Sequence, residues 1–113
     1  MNKFHARKVQ MDGLTFDSKA EARRWRVLCV LQDAGTIADL KRQTVFELIP
    51  RQTDEAGRVL ERACTYKADF TYWQGGHFVV EDVKSRATRT PEYRIKKKLM
   101  LQVHGIRITE VDG

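Results

Sequence analysis

Cysteine is scarce in this chain, with only Cys29 and Cys64 among 113 residues. The two lack metal-type spacing, and His5, His77 and His104 are equally scattered, so neither a zinc ribbon nor a disulfide scaffold is expected. Buried free thiols are expected instead, Cys29 in an apolar helical run and Cys64 in a strand, and with them a reducing cytoplasm. Long apolar runs are missing too. The longest, Val27 to Leu31, is far below the ~20 residues needed to cross a membrane. Met1 to Lys8 leads into no apolar stretch, so no secretory signal is expected. There is no repeat, low-complexity tract or linker. The length suits one domain with a modest core, 1–113, in which 1–16 form a basic arm and small hairpin and 17–111 the core.

What the chain does have is positive charge. Lys and Arg total 21 against 15 acidic residues, a formal charge of +6. An anionic partner follows, nucleic acid first, with a merely soluble basic protein as the alternative. A hydrophobic content of 42% is ordinary for a globular protein and argues against disorder.

The order of elements can be read from breakers and caps. Asp12-Gly13 suggests a small hairpin over 9–16. Ser18-Lys19-Ala20-Glu21 matches a capping box and opens a helix that Gly35 closes; Trp25, Leu28 and Leu31 fall near one stripe. Thr44 to Ile49 reads as a strand stopped by Pro50, and Asp54-Glu55-Ala56-Gly57 as a turn in a polar stretch. Two β-rich runs, 66–73 and 78–84, flank Gly75-Gly76 and read as a hairpin. Thr90 as N-cap and Pro91 at the first helical position open a second helix, which ends at Gly105, and Ile106 to Val111 is a last strand. The order is helix, three strands, helix, strand. It predicts an α/β domain of αβββαβ type, a central mixed sheet flanked by helices.

The central hairpin carries the chemistry. If its turn is symmetric about Gly75-Gly76, Asp69 faces Asp82 and Lys67 faces Lys84, and alternation puts all four on one face. Opposed carboxylates repel unless a cation lies between them. Hard cations such as Mg²⁺ take oxygen ligands, and a lysine two residues beyond the second carboxylate can hold a water and neutralise developing charge. The alternative is a solvated strand face with cross-strand Asp–Lys pairs. Glu81 points the other way and is left out of the motif. Glu21 shares the buried stripe of Trp25 and Leu28 and can supply a third carboxylate, although a capping box demands the same residue.

Glu21 on a helix, then Asp69, then Asp82-Val83-Lys84 resembles the PD-(D/E)XK nuclease superfamily, whose core is αβββαβ. More narrowly, Asn2-Lys3-Phe4, 16–25, 65–70 and 80–84 are similar to a family of small phage and prophage proteins long filed as a domain of unknown function. The likeness spans nearly the whole chain; one departure is Ala68, which stands where the superfamily's name has proline.

The resemblance implies a Mg²⁺-dependent endodeoxyribonuclease, with Mn²⁺ able to substitute and no small-molecule cofactor. Asp69 and Asp82 would bind metal, Glu21 would be an additional ligand, the Val83 carbonyl would complete the shell, and Lys84 would position the water. By analogy the substrate is branched DNA, cut in recombination or replication as Holliday-junction resolvases do, by a homodimer in the cytoplasm of a bacterial cell carrying the phage or prophage. The alternatives are a non-catalytic DNA-binding or host-interaction protein on the same fold, or an RNA-directed nuclease.

Arg86, Arg89, Arg94, Lys97 and Lys98 are the expected nucleic-acid contacts, with Lys67 as a flanking one. Arg94, Lys97 and Lys98 share one side of the second helix, and Ile95, Leu99 and Val103, on another side, are read as core. Lys3, His5, Arg7 and Lys8 could add a basic arm. Trp73 and Tyr72 are better read as core than as base-stacking groups, and Gln43 could approach the site.

Overall fold

The computed structural model describes residues 8–113, so Lys3, His5, Arg7 and the Asn2-Lys3-Phe4 stretch lie outside the described residues. Asp12 (φ 54°) and Gly13 (φ 77°) both adopt left-handed backbone, the signature of a type I′ turn. They join β1 (Val9–Met11) to β2 (Leu14–Phe16) as the Asp-Gly pair predicts. The Ser18 hydroxyl then accepts from the Glu21 N–H and caps α1 (Lys19–Asp33), which buries Glu21, Ala22 and Leu28. The chain continues through β3 (Ala38–Ile49), a small hairpin of β4 (Gln52–Thr53) and β5 (Val59–Glu61), β6 (Cys64–Gln74) and β7 (His77–Lys84). α2 (Pro91–His104) starts at a Thr90 cap and ends on left-handed Gly105, and β8 (Thr109–Asp112) follows.

The main sheet has the order β3-β6-β7-β8. Its ladders are antiparallel except β7–β8, which is parallel because α2 makes the crossover between them. This is a single α/β domain with the expected αβββαβ order and mixed sheet. Leu48, Tyr66, Ala68, Val80, Tyr93, Met100 and Ile108 form the core under α2. Phe16, Ala22, Leu28, Ile37, Phe70 and Tyr72 form the core under α1. Among the described residues no helix is long and apolar enough to cross a membrane.

Several boundaries differ from expectation, each for a local reason. β3 begins at Ala38 rather than Thr44, because left-handed Asp39 (φ 56°) and Gln43 (φ 52°) interrupt the alternation that would mark a strand. The last strand starts at Thr109 rather than Ile106, whose N–H instead bonds the Met100 carbonyl and closes α2. The polar stretch after Pro50 forms β4 and β5 around the expected turn, with Asp54 accepting from Ala56 and Arg58 N–H. Ile95 and Val103 are not core: they are 59% and 49% exposed, and Leu99 alone of the three packs inward. Tyr93 and Met100 are the buried residues of α2, and Lys96, Lys97 and Leu99 between them are half-buried. Cys29 and Cys64 are free thiols, as expected, but only half-buried.

The sheet also turns over. Tyr66 and Tyr72 are an even number of residues apart and would share one face of a regular strand. Tyr66 packs under α2 and Tyr72 under α1. β3 does the same, with Leu40 on the α1 side and Leu48 on the α2 side. The β3–β6 ladder pairs Arg42 with Phe70 and Thr44 with Ala68, skipping Gln43 and Asp69, and Gln43 is the residue with φ 52°. Both strands therefore rotate at one shared position. A non-glycine residue held at positive φ costs of order 1–3 kcal/mol, which the surrounding packing must offset. Asp69 lies on that rotation.

Candidate metal centre

The hairpin register is the one symmetric about Gly75-Gly76. Both glycines have positive φ, and the ladder runs from Gln74 opposite His77 to Phe70 opposite Glu81. One further step places Asp69 opposite Asp82, but there the ladder ends. Side-chain carboxylates replace main-chain acceptors: the Asp69 N–H donates to Asp82 Oδ1 at 3.0 Å, and the Val83 N–H donates to Asp69 Oδ2 at 2.9 Å. Lys67 and Lys84 are consequently not a cross-strand pair. The turnover of β6 separates them, although both line the same cleft of about 300 Å³.

Each member of the cluster is held by a different element. Asp82, 3% exposed, also accepts from the Tyr66 hydroxyl at 2.6 Å, and Lys84 Nζ lies 3.5 Å from its Oδ2. Burial, then the charge of Asp82, then that of Glu21, pushes the Asp69 carboxyl up to about 8. Glu21 comes from the first turn of α1 and is 3% exposed. Its Oε2 accepts from the Asp17 N–H at 3.2 Å, so one oxygen serves the helix start, a residue earlier than a standard capping box would place it. Its Oε1 is buried with no hydrogen-bond partner among the described residues. Burial, then the charge of Asp17, raises the Glu21 carboxyl above its ordinary range, while Arg42 opposes the shift. A bond to the helix start and an unpartnered oxygen coexist in one side chain.

Lys84 is clamped from α2. Its ammonium sits 4.0 Å from the centre of the Tyr93 ring, and its side chain is 15% exposed. The Tyr93 hydroxyl donates to Glu110 Oε2 at 2.6 Å, and Lys97 reaches the same oxygen at 3.1 Å. Those contacts lower the Glu110 carboxyl below its ordinary range, Tyr93 contributing most.

These oxygens suit a hard divalent cation. A buried carboxylate oxygen without a partner costs ~1–3 kcal/mol, and a buried carboxyl adjoining a half-buried one is repelled by it; a cation relieves both. Among the described residues that line the cleft there is no cysteine, histidine or methionine, and Mg²⁺ usually needs only one or two carboxylates with water. Among the described residues no three His, Cys, Asp or Glu side chains already form a metal-holding group. The carboxylates of Asp69 and Asp82 are turned to N–H and hydroxyl donors instead. In a strand the N–H and C=O of one residue point the same way. The Val83 N–H is directed at Asp69, so its carbonyl faces β6 and the acidic pair as well.

The cationic residues divide. Lys96 lines the acidic cleft and pairs with Glu92 at 3.0 Å, whereas Arg94, Lys97 and Lys98 line a separate groove on the other side of α2. Arg89 is tied to Glu110 and Asp112, and Arg86 is exposed just after β7. Lys67 is exposed at the cleft. Gln43 skips its pairing with Asp69 in the ladder and is not among the residues lining the cleft. Trp73 is 45% exposed beside Phe78 at the hairpin tip, whereas Tyr72 is core. Sequence reasoning missed Tyr66 and Tyr93. Tyr93 had a signal, since it lies seven residues before Met100 and so shares that residue's stripe of the helix. Tyr66 had none, because its reach to Asp82 depends on the turnover.

On the opposite side of β7, Glu81 is fully buried and takes two bonds from Arg24, one of them at 3.0 Å, and another from the Tyr72 hydroxyl. Its partners satisfy it, which supports leaving it out of the motif. Burial, aided by that bond, holds the Tyr72 hydroxyl up to about 12.

Residues 1–111 match the family described as "Protein of unknown function (DUF1064)", and the chain belongs to it. No curated protein and no solved structure matches the chain.

Proposed function

We propose that this member of the DUF1064 family is a Mg²⁺-dependent endodeoxyribonuclease that hydrolyses DNA phosphodiester bonds. The observation that carries this reading is buried Asp82 against half-buried Asp69, beside Lys84 in an open cleft, with the charge of Glu21 raising the Asp69 carboxyl and Glu21 Oε1 unpartnered among the described residues. Asp69, Asp82 and the Val83 carbonyl would hold the cation, with Glu21 as a further ligand. When bound, it supplies positive charge against the scissile phosphate and acidifies a water.

The chain's own groups do the rest. Tyr66 fixes the Asp82 carboxylate through its hydroxyl. Lys84, restrained by the Tyr93 ring and by Asp82, offers an ammonium that orients the attacking water and offsets charge developing on the phosphate. Lys67 and Lys96 on the cleft wall attract the phosphate backbone. Half-buried free thiols suit a reducing bacterial cytoplasm, where a phage-encoded nuclease would act.

The test is to incubate the protein with Mg²⁺ or Mn²⁺ and linear, single-stranded and four-way DNA, with a matched RNA hairpin alongside, and to repeat it with Asp82→Ala and Lys84→Ala. Metal-dependent DNA cleavage lost in both variants is expected. Equal cleavage by wild type and both variants would reveal a contaminant and overturn the reading.

A further inference from the structure

Tyr93 and Met100 fix the inward side of α2, and concavities lie on both of its flanks. On one flank Glu92, Tyr93 and Lys96 join the acidic cleft, whose walls also carry Lys67 and Lys84. On the other, a groove of about 450 Å³ is lined by Arg94, Lys97, Lys98, Leu101, Arg107 and Ile108. Four of these six are cations and none is acidic. Lys97 is paired with Glu110, but among the described residues Arg94, Lys98 and Arg107 form no ion pair. Unpaired cations gathered in one concavity repel one another, and a polyanion removes that repulsion. Positive charge therefore borders α2 on both sides.

The stripe between the flanks has a different character. At about 100° per residue, Ile95 and Gln102 fall midway between the cleft set and the groove set, on the outward side. Both are exposed, Ile95 by 59%. An isoleucine offers methyl groups to the C5-methyl of thymine, and a glutamine offers the donor and acceptor that match adenine N6 and N7. A helix with its side chains is about 10–12 Å across, and the major groove of B-DNA is about 12 Å wide. A helix seated in that groove has a phosphate backbone on each flank. We propose that α2 enters the major groove of a single B-form DNA duplex, with Ile95 and Gln102 at the base edges. One backbone then runs past the acidic cleft and the other along Arg94, Lys98 and Arg107. Double-stranded RNA does not fit, because its major groove is deep and too narrow for a helix. This deepens the nuclease reading by choosing duplex DNA over duplex RNA, and it rests on the nucleic-acid part of that reading, not on cleavage.

The test is fluorescence anisotropy in EDTA, where no cleavage occurs, on linear duplexes of one sequence made as DNA and as RNA. Wild type is expected to bind the DNA at least about tenfold more tightly. DNA whose cytosines carry glucosylated hydroxymethyl groups, which fill the major groove, should bind at least about tenfold more weakly, whereas netropsin in the minor groove changes affinity less than about twofold. Ile95→Ala with Gln102→Ala, both on exposed positions, should weaken DNA binding about fivefold and leave its salt dependence unchanged, because neither side chain meets a phosphate. Arg94→Ala with Lys98→Ala, also exposed, should lower the slope of log K against log salt by about two. Equal binding of DNA and RNA, binding indifferent to the glucosyl groups, or wild-type affinity in the Ile95 and Gln102 variant would each overturn the proposal. If binding behaves as expected but the protein cuts no DNA with Mg²⁺ or Mn²⁺, the nuclease reading fails and the place of α2 stands.

Discussion

Glu81 and Asp82 are neighbours on β7, both buried, and they stand in opposite electrostatic situations. On the α1 side, Glu81 meets an arginine in two bonds and a tyrosine hydroxyl in a third. On the cleft side, Asp82 meets a second carboxylate, with Lys84 at 3.5 Å and a third carboxylate near the pair. The first arrangement neutralises its own charge and needs nothing else. The second gathers three acids: Asp82 on its Tyr66 and Asp69 N–H donors, Asp69 at the cleft, and Glu21 with one buried oxygen that has no partner among the described residues. A buried acid matched by a cation holds a fold together, and acids crowded on one another are available for a cation.

The comparison can be broken most strongly at Asp82. Asp82→Ala is expected to lower metal-dependent cleavage by about a thousandfold or more while leaving the thermal midpoint nearly unchanged, because relief of repulsion offsets the lost contacts to Tyr66, the Asp69 N–H and Lys84. Glu81→Ala should do the reverse. Stranding Arg24 and the Tyr72 hydroxyl costs about 3 kcal/mol of stability, the low end for a broken buried pair since Arg24 is partly exposed. Chemical denaturation and a cleavage assay on both variants would read the exchange.

A pH series sharpens the same contrast. Asp69 keeps its proton to about 8 in the folded protein, while an unperturbed aspartate ionises at 3.8. Between those values the folded state binds a proton that the unfolded chain has released, so the stability of the metal-free protein falls as pH rises through that window. Melting in EDTA should show a midpoint several degrees lower at pH 8 than at pH 5. Asp69→Asn should flatten the slope, and Mg²⁺ should raise the midpoint most at the high end, where the carboxyl is ionised. No change in midpoint between the two pH values would contradict the clustering of the three acids.

The smallest effect belongs to the clamp on Lys84. Tyr93→Leu removes the ring under the ammonium and should lower kcat about threefold to tenfold with little change in KM, the range of a partly desolvated cation–π contact. Tyr93→Phe keeps the ring and should restore most of kcat, while loss of the hydrogen bond to Glu110 costs about 1 kcal/mol of stability. Equal kcat losses in the two would show that the ring does not position Lys84.

Much of this could be read from the chain because it depends on local rules. Gly75-Gly76 sets a register that brings Asp69 to Asp82, and Ser18, Thr90, Pro91 and Gly105 mark helix ends without knowledge of the rest. The turnover at Gln43 and Asp69 was not legible. It needs left-handed backbone at a glutamine, which no spacing or composition announces, and it separates Lys67 from Lys84 and brings Tyr66 to Asp82. The basic residues of α2 misled for another reason. Half-buried Lys96 and Lys97 lie between Tyr93 and Met100 on the inward stripe of that helix, so Ile95 and Val103 look like core when they face solvent, and the cations divide between cleft and groove.

The most direct measurement is a crystal soaked in Mn²⁺ and examined by anomalous diffraction. A peak is expected between the carboxylates of Asp69 and Asp82, with the Val83 carbonyl and Glu21 Oε1 turned toward it and Lys84 nearby. A crystal saturated with Mn²⁺ that shows no density there, with both carboxylates still on their N–H donors, would contradict it.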